Sequence, residues 1–492
     1  MATEEQARRL VDVLATELTS RSGAVLRHDR YYRGKHPLRF ASDEFRKYCA
    51  DRYEGFSDNW VQPVADSPVE RLTVTGVQAP GQVKADADLW EVWQRNGLDA
   101  DSQLGFLGAG NAARAFVLVW GDPDDEDTPC VTFEDASSAI VQYEPGSRRR
   151  RRAALKMWQD GYSDFATLYL PDEVWKFERP LSAGDKKSPQ MAEADAVMDS
   201  WTPRETGSEP NPQPNPMGVV PMVELPNRPL LASEPVSDVA GVIAMQDAIN
   251  LLWALLFNNA DFASLMQRVV TGAEIPKLPI LDANGQKVGE KPIDLKKFVT
   301  DRILWLENPD AKVDSWPAAQ LDAYTKVIEV CVGHIAAQTR TPQHYLVGKM
   351  ANLSGDALIA AETGLVKRVE EKQLWFGQAL REVFQLICLA RGEDAKGKAL
   401  AAGSVLWKDP QSRNIAQLTD SLLKLKQIGF PFEWLALRFG LTPTEVAVLM
   451  DMRAHEAEQD PVAAILGASG GAPPGPVPPV PPDPAPADAG VP

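Results

Sequence analysis

The chain has 492 residues, of which 44% are hydrophobic and 24% charged, a composition typical of a globular protein with two or more domains. Its net charge of -17 excludes a generally basic nucleic-acid binder, so contact with DNA would require local basic residues or a channel whose walls mostly repel phosphate. The acidic N-terminus lacks the pattern of a signal peptide, and no apolar run approaches the roughly 18 residues of a membrane span. We therefore expect the protein in the reducing interior of a cell, without membrane contact.

The sequence predicts no metal site, no cofactor and no disulfide framework. Cys49, Cys130, Cys331 and Cys388 are far apart and lack CxxC spacing, so we expect each to be a small buried apolar residue. His334, on a predicted helical face, is expected in the core or at an interface. P-loop and HExxH motifs are missing from the sequence, so it gives no support for an enzyme.

The first 234 residues predict a mixture of helices and strands. Apolar residues at helical spacing predict a helix over about residues 3–20, and an aromatic, turn-rich segment follows from Tyr31 to Leu38. The further expected elements are a helix after Asp58, a strand at 71–77, a helix at about 85–108, and an antiparallel sheet with strands at 115–120, 131–134, 139–143, 153–158 and 166–170. Residues 179–220 are rich in Pro, Gly, Ser and charge, which predicts a long exposed loop.

From residue 235 onward, helices dominate the prediction. A helix at about 235–266 precedes a small irregular module at 267–316, with candidate strands at 267–272 and 302–306. Next come a helix at about 318–340, a loop from Pro342 to Leu353, and a long helix from the N-cap Ser354 to Arg391. The remaining elements are a strand at 404–407, helices to about 458, and a Pro-rich disordered tail.

Three local patterns resemble functional motifs but favour structural interpretations. Residues 108–113 match GxGxxA, yet a helix precedes them and a strand follows, the inverse of a nucleotide site, so we interpret them as a helix-to-strand turn. The acidic run at 122–127 lacks EF-hand spacing and is interpreted as a solvated turn. Residues 435–446 resemble a helix-turn-helix, but the second helix presents acidic and apolar side chains, which favours packing over reading bases.

A run of five arginines lies at a predicted turn between two strands. A solvated turn and a patch that faces phosphate or a protein partner are both open interpretations of this run. Its members are Arg148, Arg149, Arg150, Arg151 and Arg152.

The order helix, β-containing insertion, helix, loop and long helix resembles the portal proteins of long-tailed bacteriophages of Gram-positive and actinobacterial hosts. The resemblance extends over about residues 5–455. It is carried by Tyr31-Tyr32-Arg33-Gly34, Asn59-Trp60 and the stretch to Val77, Gln246-Asp247-Ala248-Ile249-Asn250, Thr341-Pro342 with the loop to Gly348, Leu353-Ser354-Gly355-Asp356-Ala357-Leu358, and Glu362.

The resemblance implies an α+β portal fold with a mixed wing domain, a two-helix stem, a small β-containing clip, a long kinked helix and a helical crown. The implied ranges are wing 1–234, first stem helix 235–266, clip 267–316, second stem helix 317–340, tunnel loop 341–353, long helix and wing return strand 354–411, crown 412–458, and disordered tail 459–492. Broad apolar faces on the stem helices are expected, because each would pack on two neighbours in a ring.

The implied function is a ring, expected to be a dodecamer, at one capsid vertex, through which double-stranded DNA is packaged and ejected. The implied partners are the terminase large subunit, a head–tail adaptor, and the major capsid and scaffolding proteins, in the virion and, during assembly, in the host cytoplasm. The tunnel loop offers four side chains for transient phosphate contact, namely Gln343, His344, Lys349 and Asn352. The alternatives are a helix-turn-helix DNA-binding protein, a metal-dependent enzyme using the acidic run, and another structural capsid protein.

Overall fold

The computed structural model describes residues 2–50, 56–82, 84–122, 124–125, 127–180, 201–205, 207, 209–264, 268–271, 277–281, 286–292, 303–306, 321–347, 355–411, 415–441 and 443–459. The helices are α1 (Glu4–Tyr32), α2 (Asp43–Ala50), α3 (Val61–Val69), α4 (Ala87–Arg95), α5 (Leu98–Ala112), α6 (Ile243–Ser264), α7 (Leu321–Thr339), α8 (Gln343–Val347), α9 (Gly355–Ala390), α10 (Asp394–Leu400), α11 (Ile415–Gln427), α12 (Phe432–Phe439) and α13 (Pro443–Gln459). The strands are β1 (Val74–Gln78), β2 (Arg114–Trp120), β3 (Cys130–Glu134), β4 (Ala139–Tyr143), β5 (Arg151–Asp160), β6 (Ser163–Tyr169), β7 (Glu173–Pro180), β8 (Thr202–Pro203), β9 (Gln213–Pro214), β10 (Met222–Pro226), β11 (Arg268–Thr271), β12 (Lys277–Leu281), β13 (Lys287–Pro292), β14 (Ile303–Leu306) and β15 (Ser404–Trp407). The fold is therefore α+β, as predicted.

The first layer packs α1 against a six-stranded sheet. β4, β5, β6 and β7 form an antiparallel meander, and β8 and β9 both pair with β7. α1 begins with a capping box, in which the Thr3 hydroxyl accepts from the Gln6 N–H and the Gln6 side chain accepts from the Thr3 N–H. The shared apolar cluster includes Val11, Leu14, Ile140, Leu168 and Trp201.

A second core lies between the sheet β10–β2–β3 and the helices α4, α5 and α9. Trp93 stacks on Phe384 at 5.7 Å between ring centroids, and Phe106 stacks on Phe376 at 5.4 Å. Because both phenylalanines belong to α9, this long helix from the second half of the chain completes the core of the N-terminal region. The predicted return strand near residue 405 is confirmed as β15, which pairs antiparallel with β1.

α6 and α7 form an antiparallel hairpin. The Asn259 Nδ2 near the end of α6 donates to the Tyr324 hydroxyl near the start of α7 at 2.7 Å. Between the two helices, β11 pairs parallel with β14, which confirms the two predicted strands of this module. The antiparallel hairpin β12–β13 was not predicted, because the short strand β12 contains Pro279, a residue that disfavours strand assignments.

Several predicted boundaries in the N-terminal region are wrong. α1 continues to Tyr32 instead of ending near residue 20, because its last turns are held by the buried side chain of Tyr31. The helix predicted at 85–108 is two helices, α4 and α5, separated at Gly97, whose φ of 64° breaks the helix. The GxGxxA residues up to Ala112 lie inside α5, and the turn to β2 is made by Ala113 alone, with φ of 74°.

The predicted long loop at 179–220 is also wrong for its described part. Residues from 201 onward contribute β8 and β9, and the side chains of Trp201, Met217 and Val220 are buried. The five strands predicted as a sheet belong to two sheets, because β2 pairs with β10 and β3 while β4 starts the meander. β7 and β10 were missed because polar and proline residues flank them.

Further corrections concern the C-terminal half and single residues. α6 begins at Ile243 instead of 235, because the preceding residues are buried in extended and turn conformations. Cys130 is exposed and Cys331 is half-buried, so the prediction of a buried residue is wrong for both, whereas Cys388 is buried as expected. His334 is exposed in the single chain, so of its two predicted positions only the interface stays a prediction. Arg151 and Arg152 begin β5 and do not lie in the turn. The N-cap Ser354, the side chain of Cys49 and the tail after Gln459 lie outside the described residues.

Within the described residues, no helix combines the length and apolar character required to cross a bilayer.

Candidate functional site: the helical hairpin and the segment after it

α6 and α7 share an apolar cluster with the N-terminal region. Ile249 of α6 and Ile328, Val332 and Ile335 of α7 are buried together with Val64 of α3. The start of α6 and the second half of α7 are therefore packed onto the N-terminal region.

α7 has a second, mostly apolar face that is exposed, which we call the α7 outer face. Its spacing alternates between four and three residues, the spacing of a seam between two helices. Val327 and Val330 are 47% and 56% exposed. The face consists of Ala323, Val327, Val330, His334 and Ala337. The packed face and the α7 outer face thus give α7 apolar side chains on two sides.

Buried polar groups attach the start of α6 to two N-terminal segments. The Gln246 Oε1 accepts from the Trp60 N–H at 2.8 Å, and its Nε2 donates to the Asp58 carbonyl at 2.6 Å. The Asp247 carboxylate, 1% exposed as a residue, accepts from the Tyr31 hydroxyl at 2.6 Å. We call this set the junction network; it consists of Tyr31, His36, Ser57, Asp58, Trp60, Gln246, Asp247 and Asn250. The network brings together residues on which the portal resemblance rests.

The hydrogen-bond partners of His36 in the junction network indicate its tautomer. Its Nε2 lies 2.8 Å from the Tyr31 carbonyl oxygen, which only accepts, so Nε2 bears the hydrogen. Its Nδ1 then accepts from the Ser57 hydroxyl at 2.8 Å and from the Asn250 Nδ2 at 2.9 Å. Burial lowers the pKa of His36 from 6.5, in agreement with a neutral ring.

A buried ion cluster lies beside the junction network and joins the segment before α6 to α9. The Asp238 Oδ2 lies 2.6 Å from the Lys372 Nζ and 3.1 Å from the Arg368 guanidinium. Asn227 accepts from Lys372 and donates to the Asp238 Oδ1 at 3.2 Å. Burial alone would raise the pKa of Asp238, but the charges of Lys372 and Arg368 lower it from 3.8 to about 2. Burial lowers the pKa of Lys372.

Gly110 has a packing role in this ion cluster. A Cβ at this position would lie 3.2 Å from the Asp238 Oδ2 and 3.7 Å from the Lys372 Nζ. The second glycine of the GxGxxA pattern therefore allows α5 to approach a buried carboxylate and does not approach a nucleotide. Sequence reasoning missed this cluster, although Arg368 and Lys372, four residues apart on the apolar stripe of α9, were a usable signal.

The segment after α7 turns sharply and forms the short helix α8, where the sequence predicted a loop. Arg340 has a φ of 53°, and α9 approaches this turn at Gly364, where a Cβ would lie 3.3 Å from the Arg340 Cβ. Leu346 is buried against the apolar cluster of α7. The start of the predicted tunnel loop is thus fixed to α7 and α9.

Tyr345 and Glu362 tie α8 to α9. The Tyr345 hydroxyl donates to the Glu362 Oε1 at 3.2 Å and accepts from the Arg71 guanidinium at 2.5 Å. Arg71 also lies 3.2 Å from the Glu362 Oε2 and donates to the Pro410 carbonyl at 3.0 Å. Glu362 was identified by resemblance alone, and the structure makes it the acceptor that orients α8.

The structure describes two of the four predicted channel residues. Gln343 is exposed at the start of α8. His344 has a side chain only 7% exposed, and its Nε2 lies 3.9 Å from the Glu362 Oε1. Lys349 and Asn352 lie outside the described residues. Contact of these four residues with DNA stays a prediction.

The arginine run does not act as one patch in the single chain. The Arg151 guanidinium lies 2.6 Å from the Glu382 Oε2 of α9, with its side chain 13% exposed. Arg148, Arg149, Arg150 and Arg152 are exposed. A partner-facing or phosphate-facing role of the run stays a prediction.

The remaining motifs form ordinary elements. α12, the left-handed Gly440 and α13 have the order of a helix-turn-helix, and Val446 at the predicted packing face is buried. The described part of the acidic run is a turn between β2 and β3. In the portion of the chain that the structure describes, no group of three His, Cys, Asp or Glu side chains is placed to hold a metal ion.

Comparison with known proteins gives consistent matches. The family model described as "Phage portal protein, SPP1 Gp6-like" matches residues 13–432. Two proteins named portal protein, from Mycobacterium phage L5 and Mycobacterium phage D29, are each 28% identical over 378 residues, which are 73% of this chain and 70% of each relative. The range of the family match includes the junction network, the ion cluster and α8.

Proposed function

The chain belongs to the SPP1 Gp6-like family of phage portal proteins, and from this membership we propose how its parts build a DNA conduit. Portal proteins are structural components of the capsid that form a homo-oligomeric ring and serve DNA packaging and ejection. The predicted portal identity is confirmed, and the helix-turn-helix and other capsid-protein alternatives are replaced by it.

The α6–α7 hairpin is the stem of the proposed conduit, and the region 1–234 with the return strand β15 is the wing. The observation that carries this assignment is the hairpin itself: one end is held by the junction network, while the α7 outer face is left uncovered. Exposed apolar side chains at seam spacing stabilise a helix only when a neighbour covers them.

The segment from α8 to the start of α9 is the proposed tunnel loop. Its anchoring through Tyr345 and Glu362 supports this role, because a loop that touches moving DNA requires a fixed base. Lys349 is the proposed phosphate contact, with Gln343, His344 and Asn352 as neighbours. One lysine per subunit forms a weak, uniform collar that does not trap DNA.

The insertion between α6 and α7 is the proposed clip, which meets the terminase large subunit during packaging and a head–tail adaptor afterwards. Helices α11–α13 are the proposed crown, facing the capsid interior, and the wing is the proposed contact with the major capsid and scaffolding proteins. Assembly takes place in the host cytoplasm in this proposal, the ring is a dodecamer, and a partner ATPase supplies the energy for DNA movement.

Negative-stain electron microscopy together with the mass in solution tests the ring. Rings of about twelve subunits with a central hole are expected. A dimer that binds DNA in a strongly salt-dependent manner would instead support a DNA-binding protein.

In packaging assays, Lys349→Ala is expected to assemble normally and to change packaging efficiency, whereas failure of this variant to form rings would give the loop a structural role.

A further inference from the structure

The sheet β10–β2–β3 has oppositely charged surfaces at its two ends. Pro226, the last residue of β10, pairs with Arg114, the first residue of β2, so the chain leaves toward residues 228–234 at this end. β2 leaves its opposite end at Trp120 and enters the acidic residues 122–127. A strand of seven residues spans about 20 Å, so the two surfaces lie about that far apart.

The basic surface combines arginines with exposed leucines. We call residues 148–152, which comprise the end of the β4–β5 turn and the first two residues of β5, the arginine turn. The Arg148 guanidinium donates to the Leu230 carbonyl at 3.4 Å, which attaches the arginine turn to the loop after β10. Leu230 and Leu231 are 49% and 86% exposed. The structure gives the side chains of Arg149 and Arg152 no ion-pair partner among the residues it describes.

The acidic surface lies between β2 and β3, and we call its described residues Asp122, Asp124, Asp125 and Asp127 the acidic turn. The Asp122 carboxylate accepts from the Asp124 N–H at 2.9 Å, and the Asp125 carboxylate accepts from the Asp127 N–H at 3.1 Å. Arg95 lies 3.4 Å from Asp125 and offsets one charge. Asp124 and Asp127 are exposed.

We propose that the arginine turn of one subunit docks on the acidic turn of the next subunit in the ring. This inference rests on the proposed ring, because a ring joins two different surfaces of each subunit in a head-to-tail manner. Two surfaces of opposite charge at opposite ends of one sheet satisfy that requirement, and complementary charge sets the register of a contact.

The composition of the basic surface favours a protein partner over DNA. Leu230 and Leu231 provide apolar area beside the guanidinium groups, and arginine with apolar neighbours is typical of protein interfaces. A phosphate backbone would leave both leucines in water. The acidic turn is the complementary surface that the chain itself offers.

The test is charge reversal with rescue, using the full chain. Arg149→Glu with Arg152→Glu is expected to raise the subunit concentration at half-assembly by about tenfold or more, and Asp124→Lys with Asp127→Lys is expected to do the same. The chain bearing all four substitutions is expected to return to within about threefold of the native value, because the attraction is restored with reversed sign. Mass photometry over a dilution series measures assembly, and thermal unfolding of the separated subunits verifies folding.

Arg9→Glu with Lys35→Glu is the matched control, because both residues are exposed and lie outside the two turns; its assembly is expected to be unchanged. Native assembly by either reversed pair would overturn the proposal, and so would a loss that the four-fold variant does not restore. Loss of DNA association with unchanged assembly would assign the arginine turn to phosphate instead. If the native chain forms no rings, both the proposed function and this contact are rejected. If the native chain forms rings and the charge-reversed variants assemble equally well, only this contact is rejected.

Discussion

The junction network and the α7 outer face differ in how their polar and apolar groups are satisfied. At the junction network, buried amides and carboxylates of one chain have partners within that chain, including Gln246 with two backbone groups. On the α7 outer face, valines remain about half exposed in the single chain. The difference indicates that intrachain contacts fix where the hairpin begins, while contacts with neighbouring subunits complete its outer surface.

The largest loss of stability is expected from the ion cluster. Asp238→Ala leaves Lys372 and Arg368 as buried cations without their carboxylate, which is expected to lower the free energy of unfolding by about 3–5 kcal/mol. Chemical denaturation of the subunit measures this change. Glu371→Ala, an exposed neighbour on α9, is the control and is expected to change it by less than about 0.5 kcal/mol. Equal effects of both variants would contradict a structural role for the cluster.

A smaller loss is expected when the junction network loses Gln246. Gln246→Leu leaves the Trp60 N–H and the Asp58 carbonyl without partners, at about 1–3 kcal/mol of unfolding free energy. The exposed Gln94→Leu serves as the comparison variant. A neutral result for Gln246→Leu in the same denaturation experiment would show that the network does not fix the hairpin.

A pH dependence is expected from His36. Because its folded-state pKa is below the unfolded value of 6.5, the unfolded chain binds more protons as pH falls, so this contribution to stability is present above 6.5 and is lost below it. Between about pH 7 and 5, the free energy of unfolding should therefore decrease more steeply with falling pH for the native chain than for His36→Gln. His28, whose pKa burial also lowers, contributes to the remaining slope in both proteins. Identical slopes would contradict the neutral His36.

The smallest effect on the single subunit is expected at the α7 outer face. Val330→Ser is expected to change the free energy of unfolding by less than about 0.5 kcal/mol, because the side chain is already exposed, yet to weaken ring assembly. Val332→Ser, two residues away and buried, is expected to destabilise the subunit itself. Assembly assays and denaturation of both variants separate the two roles, and a Val330→Ser ring as stable as the native one would contradict the assignment.

The sequence predicted elements where local pattern and tertiary contacts agree. The long helix α9, the hairpin of α6 and α7 and the return strand β15 have clear apolar periods or flanking turns, and all three are present. Prediction failed where distant contacts decide the local structure. Trp201 lies in a segment whose composition indicates a loop, yet residues of α1 and the six-stranded sheet bury it. Helix α8 forms because Leu346 packs on α7.

The candidate site was predicted only in outline for the same reason. Tyr31, Gln246 and Asp247 were identified separately by resemblance, but their hydrogen bonds join positions 186 residues apart (Trp60 and Gln246) and 216 residues apart (Tyr31 and Asp247). Spacing along the chain contains no information on such pairs. The ion cluster was missed because Asp238 is far along the chain from its partners Arg368 and Lys372.

Hydrogen exchange of the separated subunit and of the assembled ring tests the contrast between the two regions most directly. We predict that residues 321–339 exchange more slowly in the ring than in the subunit, while residues 58–66 and 243–250 are protected equally in both. Equal exchange of residues 321–339 in the two states, or protection of the junction network only in the ring, would contradict this prediction.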